Sequence, residues 1–181
     1  MSKLHNLYIH SYKLSEESDK EFFDCVRDYY YTEEFQSMSP NIQHGSINTI
    51  QHIKSVAYIS FRLSKKLKFD YYKTTRGALL HDLFYYDWHD PDPSHKLHGY
   101  RHPGFALKNA RELSKKYGTE LSKLEENIIH RHMFPLTVVP PRYKEAVLVS
   151  MVDKYVATKE IIICSSEKRT SRFHNQVEKE V

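Results

Sequence analysis

Between Ala78 and Phe84 the chain reads Ala-Leu-Leu-His-Asp-Leu-Phe. A run this apolar is built for a protein interior, yet it carries a histidine and an aspartate side by side. Burying an unpaired carboxylate costs on the order of several kcal/mol or more. Any fold of this chain must therefore end the run at a surface edge or bring something positive to Asp82.

The surrounding pattern is helical. Glycine is scarce, at 5 residues, and apolar residues recur at helical spacing. In 46–70, Ile50, Ile53, Ala57 and Phe61 fall on one side, and Val56, Ile59 and Leu63 broaden the stripe, as on a core-facing helix. The spacing predicts further helices over 15–38, over 71 to near Phe84, over 101–118 with Pro103 in the first turn and His102 near the N-cap, over 119–134, and over 140–166. Pro40 and Gly45 break the first from the second. The segment 89–100, with Pro91, Pro93 and Gly99, reads as a loop: a lid, a base-stacking wall or the edge of the core. The best strand candidate, 135–140, is short and bounded by prolines. The fold class is all-α, divided into an N-terminal helical extension (1–40), a helical domain (41–164) and a polar, loosely ordered tail (165–181).

Bulk properties exclude several function classes. A net charge of +4 with Lys and Arg interspersed among acids gives no basic block, so no specific nucleic-acid binding is expected. No apolar run reaches membrane-spanning length, so no membrane partner is expected. Two isolated cysteines, Cys25 and Cys164, and no apolar leader at the N-terminus predict a cytoplasmic protein without disulfides. The sequence assigns no oligomeric state.

Nine of the 12 histidines lie between His44 and His132, which directs attention to the middle helices. His52 sits among Ile53, Val56 and Ile59. His81 and Asp82 close the next helix, His102 opens another, His132 ends a fourth, and Asp153 lies between Val149, Val152 and Val156. Each has a plainer reading when taken singly: His52 as a satisfied core histidine, His102 as a cap, Asp153 as half-exposed or paired with Lys154 or Lys159. Together they are six potential metal ligands, and four imidazoles with two carboxylates suffice for two divalent ions sharing one carboxylate.

The order His52, His81-Asp82, His102, His132, Asp153 resembles the two-metal branch of the HD-domain metal-dependent phosphohydrolase superfamily, over roughly 44–160. The stretches around these residues, QHIKSVAYIS, ALLHDLFYYD, HPGFALKNA, IIHRHMFPLT and EAVLVSMVDKYVATKE, are similar to the superfamily's ligand-bearing helices. The resemblance implies an HD-domain-like helical bundle. It implies one metal on His52, His81, Asp82 and Asp153 and a second on Asp82, His102 and His132. His98 competes with His102, and His130 with His132; helix-start position favours His102, and spacing from Ile128 and Ile129 favours His132. His44 is placed at the site mouth or in a structural role, and His89 and His95 in solvent.

The activity so implied is hydrolysis of a nucleotide or other small phosphate ester, with Asp82 holding the metal pair and orienting the attacking water. Lys154, Arg101 and Arg142 are candidates to grip the phosphate, with Arg131 a further one, although each also reads as a solvated surface charge. The two divalent ions could be Fe, Mn, Zn, Ni or Co. Three other readings stay open: a di-iron oxygenase on the same scaffold, a non-catalytic metal-binding regulatory module, and a one-metal enzyme if His102 and His132 are not ligands.

Overall fold

The computed structural model describes residues 2–89 and 96–180, with side chains to residue 166. Among these residues the chain forms eight helices and one short hairpin. Three helices lead in: α1 (Lys3–His10), α2 (Lys20–Tyr30) and α3 (Glu33–Gln36). The single helix expected over 15–38 is thus two. The break falls at Thr32, whose hydroxyl accepts the Phe35 N–H at 3.3 Å and starts a new helix.

The hairpin pairs β1 (Ile42–His44) with β2 (Ile47–Asn48) antiparallel. Strands of three and two residues are too short to show a period-2 pattern, and the best strand candidate, 135–140, forms turn and bend rather than strand. Gly45 turns the hairpin at φ +61°, and a Cβ there would collide with the Cys164 side chain. That close approach seats Gln43 and His44 beside the last helix.

Four helices carry the core. Asn48 caps α4 (Thr49–Leu67) by accepting the Gln51 N–H at 2.8 Å. The face bearing Ile53, Val56, Ala57 and Ile59 is fully buried, against α5 (Tyr71–Leu80) and α8 (Lys144–Glu180). Asp70 caps α5 through the Lys73 N–H, and α5 also packs on α7 (Lys123–Arg131). Ser122 and Glu125 form a reciprocal capping box at the start of α7. Ala78, Leu79, Leu80, Leu83 and Phe84 are fully buried; each large side chain contributes about 1.5–3 kcal/mol by leaving water. The first helices join this core through Tyr8, Phe22, Val26 and Tyr29.

Three boundaries differ from expectation. First, α5 stops at Leu80 rather than near Phe84, because the Leu83 and Phe84 N–H groups fold back onto Leu80 O and Asp82 O. Second, α6 (His98–Lys116) starts at His98, so His102 lies one turn inside it and Pro103 is an interior residue. Proline's fixed φ suits a helix, and the cost is the missing N–H bond to the preceding turn. Third, α8 continues as helix through the expected loose tail to Glu180. Within the Pro-rich loop, 90–95, with His95, lies outside the described residues.

Candidate metal centre

Asp82 is the focus. It is 3% exposed, and its two oxygens face opposite pairs of imidazoles. Oδ1 lies 3.2 Å from His102 Nε2 and 3.4 Å from His132 Nε2. Oδ2 lies 3.5 Å from His81 Nε2 and 3.8 Å from His52 Nε2. Asp153 closes the second pair, with Oδ1 3.3 Å from His52 and 3.7 Å from His81. The six ligands proposed from sequence, drawn from α4, the end of α5, α6, the end of α7 and α8, are all buried and meet at this one point.

Hydrogen bonding fixes which ring nitrogen faces inward. His81 Nδ1 donates to Ala78 O at 2.7 Å, His102 Nδ1 to His98 O at 2.9 Å and His132 Nδ1 to Ile129 O at 2.8 Å. His52 Nδ1 donates to Glu160 Oε2 at 2.8 Å. Carbonyl and carboxylate oxygens only accept, so each neutral ring carries its proton on Nδ1 and aims the Nε2 lone pair at the centre. His102 Nε2 and His132 Nε2 stand 2.8 Å apart, two lone pairs with no proton between them in the neutral rings. His52 Nε2, His81 Nε2 and Asp82 Oδ1 are buried without a hydrogen-bond partner. Acceptors converging on acceptors repel unless positive charge sits among them. The donor set, imidazole nitrogen and carboxylate oxygen, suits divalent transition metals. Two triads, His52–His81–Asp82 and Asp82–His102–His132, each have donor atoms close enough to share an ion, and they share Asp82.

The titration behaviour has the same origin. Burial pushes the Asp82 carboxyl up, but His81 and His102 outweigh it and hold it well below the usual carboxylate range. Asp153 is held down against burial by His52 and His81. Burial depresses His52, yet Glu160 and Asp153 raise it well above the usual histidine value, and His81 is raised by Asp82 and Asp153. His132 is lowered by burial.

A cavity of about 830 Å³ opens over Asp82, His102, His132 and Asp153. Trp88, Met133, Pro135 and Leu136 form its apolar wall, and His44 and Lys154 also line it. His44 is half-buried, its ring edge-on to His52 with centroids 5.6 Å apart. The Lys154 ammonium donates to His132 O at 2.8 Å and to Ser150 O and Oγ. Arg101 is exposed and lies over the Phe105 ring, and Arg142 is exposed near Asn127; neither lines this cavity. His98 stacks between Trp88 and His102. His130, half-buried in the last turn of α7, is lowered by burial and by Arg131 and Arg111, and it is not among the converging residues.

Two supporting residues escaped the sequence reading. Gln43 Nε2 donates to Asp82 Oδ2 at 3.0 Å and its Oε1 accepts from Thr49. It sits in a hairpin with no periodic signal. Glu160 had a signal, since it follows Asp153 by seven residues, two helical turns on the same face.

Among the described residues no helix is long and apolar enough to cross a membrane. No curated protein and no solved structure matches the chain. The family model for the HD domain matches residues 49–158, more than half of the sequence and all six converging residues, and points to metal-dependent hydrolase-type chemistry. The chain belongs to the HD domain family.

Proposed function

We propose that this protein is a metal-dependent phosphohydrolase acting on a nucleotide or another small phosphate ester at a binuclear centre. One observation carries the reading: the four inward Nε2 lone pairs and the Asp82 and Asp153 carboxylates converge at the floor of an open cavity. His52, His81, Asp82 and Asp153 would hold one divalent ion, and Asp82, His102 and His132 the other. When bound, such ions would supply an activated water and offset charge on a phosphoryl group.

The protein's own groups supply position. Asp82 presents one oxygen to each half of the site, and Gln43 fixes its rotation. The backbone carbonyls behind His81, His102 and His132 lock those rings in one tautomer. Lys154 stands in the cavity wall and can exchange one of its three acceptors for a phosphoryl oxygen. The cavity suits a small organic phosphate, which phosphoryl transfer requires to be positioned more than covalently activated.

The test is phosphate release from a panel of nucleoside mono-, di- and triphosphates, sugar phosphates and aryl phosphates. Turnover that disappears with chelator and returns with Mn, Co, Ni, Zn or Fe is expected. A protein loaded with two ions that hydrolyses none of them contradicts the reading, and consumption of oxygen by the iron form would select the di-iron oxygenase instead.

A further inference from the structure

Three of the four converging imidazoles lean on neutral backbone carbonyls. His52 alone leans on a carboxylate. Glu160 is fully buried, at 0% exposure, and its Oε2 accepts from His52 Nδ1 at 2.8 Å. Among the described residues no Lys or Arg forms an ion pair with it. Its Oε1 is buried without a partner. A buried carboxylate without a basic partner is expensive, so its one strong contact identifies what it serves.

We propose that Glu160 is a positioning residue that makes the His52 side of the centre the tighter of two unequal metal sites. This rests on the metal reading above. A carboxylate behind a ligating imidazole fixes the ring and raises its donor strength, and removing such a partner weakens metal affinity about 10–100-fold. The carbonyls behind His102 and His132 orient those rings but carry no net charge. The first ion should therefore load at His52, His81 and Asp153, and it should be the last to leave.

His44, His52 and Glu160 also lie close enough together to suggest a third ion. The geometry argues for support instead. At 2.8 Å the Nδ1-to-Oε2 contact is an ordinary hydrogen bond, and an ion there would require His52 to give up its Nδ1 proton.

The experiment is a stepwise Zn or Co titration of the metal-free full-length protein against a competing chromophoric chelator. Wild type is compared with Glu160→Gln, which keeps an acceptor but removes the charge. Glu160→Asp, which keeps the charge but withdraws the oxygen by one methylene, is the second variant should the first not fold. Expected are two unequal steps in wild type, with the tighter one selectively weakened about 10–100-fold in the variant. Equal weakening of both steps, as general unfolding would produce, overturns the proposal. So do two unchanged steps, or a third equivalent that the variant loses. A wild-type protein that takes up no ion overturns the metal reading itself, and this proposal with it.

Discussion

His98 and His102 sit one turn apart on α6 and stack with ring centroids 4.6 Å apart. Sequence alone left the choice between them to a preference. The folded chain puts His102 Nε2 3.2 Å from Asp82, while the His98 ring lies over Trp88 with its Nδ1 at the Tyr86 hydroxyl. Elemental analysis should therefore find that His98→Ala keeps its metal and His102→Ala loses one equivalent; the reverse would place the second ion on His98. Residues of this kind were legible because a polar side chain on an apolar helix face is conspicuous. Gln43 was not, because nothing in a three-residue strand marks which side chain turns inward. The phosphate-gripping roles suggested for Arg101 and Arg142 rested on charge type and, for Arg101, on its place next to His102; neither side chain lines the cavity.

At the scale of elements, the site depends on how α5 and α7 lie together, since their ends deliver His81, Asp82 and His132. Gly77 is the contact point. A Cβ there would come within 2.9 Å of Ile128 Cδ1 and 3.1 Å of its Cβ. Gly77→Ala should gain about 1 kcal/mol in helix propensity but cost about 1–3 kcal/mol in overpacking. A lowered Tm and weakened metal binding are the expected result; an unchanged or raised Tm would show slack between the helices. The helices themselves were legible from their apolar stripes. Their ends were less so: Thr32 caps α3 from inside an unbroken polar and aromatic run, and Leu97 starts α6 from a left-handed backbone conformation with no side-chain cap to mark it.

For the whole molecule, the clustered charges set a pH window for the metal-free protein. Asp82 and Asp153 titrate below their ordinary range, so their contribution is present above that range and lost as acid protonates them. His52 and His81 titrate above theirs, so their contribution is complete below the ordinary histidine value and lost as pH rises through the raised one. Chemical denaturation across pH should give a maximum between these limits; stability rising steadily into alkali would contradict it. The 1–40 segment, read from sequence as an extension, contributes Tyr8, Phe22, Val26 and Tyr29 to the shared core. The Tyr29 hydroxyl further joins Arg76, Ser114 and Thr119. Removing residues 1–40 should therefore abolish cooperative unfolding, and a sharp thermal transition in the truncated chain would show that the rest folds alone.

The account stands on Asp82 joining two ions. The direct measurement is metal content per chain, on protein purified without chelator, for wild type and Asp82→Ala. Close to two equivalents in wild type and none retained in the variant is the predicted result. No metal in wild type even after reconstitution, or a variant that holds both equivalents, would contradict it.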